Sequence, residues 1–295
     1  KDIEARVLRH VSPAFAEDPV RILRVARFYA RFRPLGFQVA KETQALMKEM
    51  VAAGEVDHLQ PERVWQELRR ALNQDDPAAF IELLREVGAL VRIIPELDAL
   101  FGVPQTKKYH PEIDCGIHTL MVLQQAVTKQ ADEVVRFACL CHDFGKGVTP
   151  GHVLPGHRGH EEAGLPLVEA FCDRLRVPKR HRELALTVTR QHLKVHKCRE
   201  LRAKTLLALL ESLNGFRDEL RFEQALLACE CDATGRGGKQ KEPYPQADYM
   251  RQALIAASTV QAVDVMVEGV QGADIGAHLR QARIKVLKAF KKNPL

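Results

Sequence analysis

Apolar residues recur along the chain at three- and four-residue intervals almost from end to end. No stretch alternates long enough to require a sheet, so the pattern predicts an all-α fold. The first start signal is Asp18-Pro19, an N-cap followed by proline in the first turn, leading a helix to about Phe32. On that helix Ile22, Leu23, Val25, Ala26, Tyr29 and Ala30 form a wide apolar face. Arg24, Arg27 and Arg31 fall on the opposite side, with Arg21 at its margin. Further helices are predicted over 41–53, 61–72 and 76–87, after which 88–96 breaks the pattern. Residues 102–111, rich in Gly, Pro and Lys, read as the connection to a second domain. Helices then resume over 114–128, 131–143, 160–176, 179–192, 201–211, 216–231 and 246–257, with a strongly basic last one over 274–292.

The chain has 295 residues, 46% hydrophobic and 28% charged, the composition of an ordinary globular protein with ample core. No apolar run approaches the roughly 18 residues of a membrane span. It opens Lys1-Asp2-Ile3-Glu4, with no apolar core behind a basic start and no methionine. No signal peptide is therefore expected, and the chain is expected to be a piece of something longer. Seven cysteines, an odd number without a CxxC pair, predict buried free thiols and a cytoplasmic setting. The net charge of +6 is clustered: residues 1–33 carry eight Lys/Arg against four Asp/Glu, 178–200 seven against two, and 280–295 six against none. Separate basic clusters suit a polyanion touching several surfaces, such as a folded RNA, although solvated surface charge gives the same composition.

The candidate chemistry centres on Cys141-His142-Asp143-Phe144-Gly145-Lys146-Gly147, at the end of the apolar run Val134 to Cys141. The expectation is a buried helix whose last turn delivers an imidazole and a carboxylate together, after which glycine lets the chain turn away. Such a pair suits a divalent metal, and Lys146 suits a phosphate. His118 lies upstream on a predicted helix, and Asp232 follows an apolar run ending at Cys231. The order His, His-Asp, distant Asp resembles the HD phosphohydrolase superfamily. That resemblance implies an all-helical bundle in which His118, His142, Asp143 and Asp232 hold one Mg2+, Mn2+, Co2+ or Ni2+, with Lys146 and Arg236 neutralising phosphate oxygens. His160 and His192 sit where two-metal relatives place further ligands; contact with phosphate or solvent is the preferred reading, and a second metal is the alternative. His10, His58, His181 and His278 are expected at the surface, and His110 and His196 carry no assignment.

At the other end, Glu17-Asp18-Pro19-Val20-Arg21 puts a carboxylate and a guanidinium three residues apart at a helix start. Asp18 can accept from an exocyclic amine and Arg21 donate to the neighbouring ring acceptor, an arrangement that fits cytosine and adenine but not uracil or guanine. Taken alone, Asp18 as a plain cap and Arg21 as a solvated cation explain the same residues. The run Phe15 to Phe28, however, resembles the Glu-Asp-x-x-Arg motif of the bacterial CCA-adding tRNA nucleotidyltransferases. Pro61-Glu62-Arg63-Val64-Trp65-Gln66-Glu67-Leu68 resembles their later neck-helix motif, and Gly88-Ala89-Leu90 with Pro95-Glu96-Leu97 their body segment.

The resemblance covers essentially the whole chain. It implies a neck over 1–55, a body with RNA-binding helices over 56–105, an HD domain over 106–245 and a basic helical tail over 246–295. It casts Asp18, Arg21 and Arg24 as contacts to CTP and ATP, Glu17 as their brace, and Arg63 and Glu67 as supports in the neck. The nucleotidyltransferase head, with its Asp-x-Asp pair for Mg2+, is expected to precede this sequence. The implied parent adds CCA to the tRNA 3′ end in the cytoplasm, as monomer or homodimer, and the implied HD substrates include 2′,3′-cyclic phosphates and 2′-nucleotides. The alternatives are a stand-alone HD nucleotide phosphohydrolase, or a tRNA-binding module with an inactive HD fold.

Overall fold

The computed structural model describes residues 1–266 and 273–292, so the parts of the basic tail at 267–272 and 293–295 lie outside the described residues. The described residues hold fourteen α-helices: α1 (Val20–Phe32), α2 (Lys41–Ala52), α3 (Pro61–Leu72), α4 (Pro77–Glu86), α5 (Leu90–Ile93), α6 (Pro95–Asp98), α7 (Cys115–Thr128), α8 (Glu133–Cys141), α9 (His160–Arg174), α10 (Lys179–His196), α11 (Ala203–Ser212), α12 (Glu219–Thr234), α13 (Pro245–Ser258) and α14 (Ala273–Phe290). The fold is predominantly all-α, as the periodicity predicts. Among the described residues its sheet is one parallel pair of two-residue strands, β1 (Val7–Leu8) and β2 (Gln38–Val39), clipping the chain before α1 to the chain after it. Two residues cannot establish an alternation, which is why the pattern does not show them. No helix among the described residues is long and apolar enough to cross a membrane.

α1 buries Ile22, Leu23, Ala26 and Ala30 against α3 and α4. Its arginines are less uniform than the helical wheel suggests. Arg24 and Arg31 are exposed, but Arg27 turns into the α1–α3 contact and donates to Glu67 Oε2 at 2.6 Å. Their side chains are 13% and 8% exposed, so each ion is neutralised mainly by the other. Glu67→Ala leaves Arg27 charged and nearly unpaired, and a loss of about 3 kcal/mol in urea denaturation is expected. A loss below about 0.5 kcal/mol would mean that water already solvates the pair.

The first helices join the rest through α4 on α7 and α3 on α8. Trp65 meets Phe137 of α8 edge-on at 5.3 Å, and the Arg136 guanidinium donates to the carbonyls of Leu72 (2.7 Å) and Gln74 (3.0 Å), satisfying acceptors that end α3. His181 is not the surface residue its isolation in the sequence suggests. It is buried between Trp65 and Phe137, and burial holds its ring below the usual histidine range. His10 is half-buried on the Thr43 hydroxyl, whereas His58 and His278 are exposed.

α7, α8, α10 and α12 form a bundle, with α9 packed on α10. Asp114, Asp132 and Asp218 cap α7, α8 and α12 by accepting from backbone N–H groups at 2.9 to 3.0 Å, which sets where each of these helices begins. α14 packs on α11 and α13 through Leu287 and Phe290, leaving much of its basic face in solvent.

Candidate metal centre

Five segments of the bundle deliver polar side chains to one buried place. α7 supplies His118, the C-cap of α8 His142, and the next residue Asp143, with Lys146 in the 3-10 turn Phe144–Val148. The first turn of α9 supplies His160, α10 His192 and His196, and α12 Asp232. His118, His142, Asp143, His160, His192 and Asp232 are each at most 5% exposed.

Asp143 is therefore not in the last turn of the helix, and the glycines after it do not serve as left-handed turns. Gly145 and Gly147 are absent from the positive-φ residues. Gly145 is required instead for closeness: a Cβ there would collide with the His160 carbonyl and stand 2.7 Å from Gly164 N. This contact brings the start of α9, and His160 with it, against Asp143.

The imidazole protons can be placed from their partners. His142 Nδ1 donates to the Cys139 carbonyl at 2.8 Å, His160 Nδ1 to that of His157 at 2.7 Å, and His192 Nδ1 to those of Val188 and Thr189 at 3.1 and 3.2 Å. His118 Nδ1 lies 2.9 Å from Glu112 Oε1, close but poorly aligned. In the neutral rings of His142, His160 and His192, Nε2 is then a bare lone pair, and His118 Nε2 is one when its proton sits on Nδ1 toward Glu112. These four nitrogens face carboxylates and one another. His118 Nε2 is 3.1 Å from Asp232 Oδ1, His142 Nε2 3.2 Å from Asp143 Oδ2, and His160 Nε2 3.3 Å from both Asp143 Oδ1 and His192 Nε2. His142 Nε2 and both Asp143 oxygens lack a well-aligned hydrogen bond. Imidazole nitrogens and carboxylate oxygens crowded together in a buried place with few aligned hydrogen bonds between them are the donor set of a cation.

Two cations and a further imidazole brace the carboxylates. Lys146 Nζ is 2.6 Å from Asp143 Oδ2 and 2.9 Å from Gln105 Oε1, and Arg236 Nη2 is 3.1 Å from Asp232 Oδ1. Burial alone would raise the Asp143 carboxyl pKa, but His142 when its ring is protonated and the Lys146 ammonium pull it well below the usual range; the Arg236 guanidinium does the same for Asp232. Burial pushes the His192 ring down to about 3, so it is neutral and able to ligate.

His196, Glu112, Gln105 and Tyr244 were not singled out from the sequence as site residues. α10 runs to His196 rather than ending near 192, and His196 Nε2 reaches Asp232 Oδ2 at 2.6 Å while Nδ1 meets Tyr244 OH at 2.7 Å. Its position four residues after His192 is the signal that could have found it. α12 likewise continues through Asp232 instead of stopping before it. Glu112 is positioned to orient His118, and its Oε2 accepts from Gly237 N–H at 3.1 Å. Glu112→Gln should weaken divalent-metal binding by about ten- to a hundredfold, measured by calorimetry, because the ring loses its anionic partner.

The residues at the start of α1 are arranged differently from a free pair. Both Asp18 oxygens accept from Arg63, at 3.2 and 2.7 Å, and Oδ1 also accepts from Val20 N–H at 3.1 Å. Arg21 and Arg24 line a cleft of about 370 Å3 with Arg9, Phe15 and Phe28. Asp18 is not among the residues lining it, and Glu17 is exposed.

Residues 116–233 match the HD domain family, and residues 36–101 match the family described as "Probable RNA and SrmB- binding site of polymerase A". The multifunctional CCA protein of Thioalkalivibrio sulfidiphilus is 58% identical over 98% of this chain and 71% of its own length; that of Pseudomonas fluorescens SBW25 is 51% identical over 100% and 72%. The chain belongs to the multifunctional CCA protein family. An HD domain in this family implies use of a divalent metal, and the orphaned lone pairs of the cluster fit one. Among solved structures, the chain shares its fold with a Thermotoga maritima CCA-adding enzyme complexed with tRNA(CCA), at TM-score 0.56 and 14% identity over 98% of this chain and 62% of that one. It also matches a CCA-adding enzyme in complex with CTP, at TM-score 0.54 and 14% identity, over 97% and 60%. The chain thus spans about three fifths of these solved structures.

Proposed function

We propose that the HD cluster is a metal-dependent phosphohydrolase site acting on 2′,3′-cyclic phosphates and 2′-nucleotides. In the same reading, the helices before it form the part of a cytoplasmic CCA-adding enzyme that holds the tRNA 3′ end and reads CTP and ATP. The observation that carries the hydrolase reading is the convergence of four buried histidine Nε2 atoms on Asp143 and Asp232. His118, His142, Asp143 and Asp232 would hold one ion. Asp143, His160 and His192, whose ligand atoms lie within 4.8 Å of one another, would hold a second ion or meet phosphate. A divalent cation here supplies Lewis acidity toward a phosphoryl oxygen and a lowered pKa for water. Imidazole-rich donors favour Ni2+, Co2+ or Mn2+ over Mg2+, which is assigned to nucleotidyl transfer in the parent.

The chain's own groups would do the remaining work. Lys146 and Arg236 keep the carboxylates ionised and place positive charge beside the phosphate. Water adds to phosphorus, one ribose–phosphate ester bond breaks, and the ribose oxygen leaves with a proton. At the other end, Arg21 and Arg24 would contact the nucleotide from their cleft, Arg63 would position Asp18, and Glu67 would steady α1 through Arg27. Seven buried free cysteines support the cytoplasmic setting.

The test is hydrolysis of 2′,3′-cyclic AMP by the chain with Ni2+ or with chelator. Turnover should require the metal and disappear in His142→Ala. Undiminished turnover by His142→Ala would refute the hydrolase reading.

A further inference from the structure

We infer that the cleft beside the HD cluster is a subsite for a second phosphate, so that the site takes a ribose flanked by two phosphates in preference to a nucleotide bearing one. The inference rests on the hydrolase reading above. The cleft, about 580 Å3, lies between the ends of α10 and α12, the segment around Tyr109 and the loop 235–245. Two of its lining residues, His196 and Arg236, are the groups that hold Asp232, at 2.6 and 3.1 Å. The cleft therefore lies on the Asp232 side of the cluster, separated from it by the side chains of His196 and Arg236.

Beyond Arg236 the lining carries two more cations, Lys197 and Lys239. Lys197 is exposed and takes part in none of the ion pairs among the described residues; Lys239 is only loosely matched by Glu242 at 3.7 Å. Neither is needed to hold the metal-centre carboxylates, which Lys146, Arg236 and His196 already brace. Two tyrosines also line the cleft: Tyr244, fixed through its hydroxyl to His196, and Tyr109, whose residue is 54% exposed. An exposed aromatic ring in a cationic cleft is the equipment for a stacked base with a charged backbone. A mononucleoside 2′,3′-cyclic phosphate brings its single phosphate to the cluster and leaves both lysines without an anion. A ribose that also carries a 5′-phosphate supplies one.

Two sources share that chemistry: the 3′ end of an RNA strand and a free nucleoside bisphosphate. The experiment compares kcat/KM for ApA ending in a 2′,3′-cyclic phosphate, for adenosine 2′,3′-cyclic phosphate bearing a 5′-phosphate, and for 2′,3′-cyclic AMP. A charge-assisted phosphate contact should favour the two-phosphate substrates by about tenfold or more. The Lys197→Ala, Lys239→Ala double variant should bring that ratio down towards one. Preference for the dinucleotide over the 5′-phosphorylated mononucleotide assigns the RNA end, and the reverse assigns the free nucleotide.

Calorimetric titration of metal-free protein with ApA 3′-phosphate and with 3′-AMP reads the subsite without catalysis, and the former should bind about tenfold tighter. Equal affinities and equal kcat/KM values, or a preference that survives in the double variant, would overturn the subsite. A wild-type chain that hydrolyses none of the three substrates would overturn the hydrolase reading instead, with the binding arm still deciding the subsite.

Discussion

Asp143→Asn is expected to lower kcat/KM for 2′,3′-cyclic AMP on the order of a thousandfold. The side chain keeps its shape, so the loss measures chemistry rather than packing. Asp143 is the residue on which both halves of the cluster meet: Oδ2 faces His142 at 3.2 Å and Lys146 at 2.6 Å, and Oδ1 faces His160 at 3.3 Å and His192 at 3.7 Å. An amide removes the negative charge, and its NH2 group donates where a cation is needed. Circular dichroism should show the helical content retained. A loss of tenfold or less would place the chemistry elsewhere.

Gly145→Ala should be the most damaging single methyl in the bundle. The added carbon meets the His160 carbonyl well inside van der Waals contact and Gly164 N at 2.7 Å, and both are backbone atoms of α9 that cannot rotate away. Unfolding free energy should fall by about 3 kcal/mol, with hydrolysis reduced as His160 moves off Asp143. Gly147→Ala is the control: its nearest neighbour is the Ala99 side chain at 3.1 Å, and a loss of about 1 kcal/mol or less is expected. Equal stability of the Gly145 and Gly147 variants would mean that α9 is free to shift.

The longer helices and the residues at the heart of the cluster were legible in the sequence, and the reason is periodicity; the four-residue α5 and α6, within the stretch that breaks the pattern, are too short to show one. His118 sits among apolar residues of α7, and His142-Asp143 ends an apolar run, so each announced its burial locally. What could not be read was anything settled by packing between distant segments. Arg27 looked solvent-facing on its own helix and is turned inward by Glu67, forty positions later. His181 looked isolated and is enclosed by Trp65 and Phe137, residues from two other helices. The glycines after Asp143 suggested a turn, but Gly145 is dictated by α9, whose approach no local pattern reports. Helix ends were the costliest uncertainty. Stopping α10 near 192 and α12 before Asp232 hid the His196–Asp232 contact, which follows once both helices run a turn further.

The central claim is that His118, His142, Asp143 and Asp232 form a site for a divalent cation. Calorimetric titration of Ni2+ or Mn2+ into metal-stripped protein, repeated with Asp143→Asn and Asp232→Asn, tests it most directly. Saturable binding to the native chain that each substitution weakens by about a hundredfold or more is the expected result. Absence of binding to the native chain, or binding by both variants as tight as by the native chain, would contradict it.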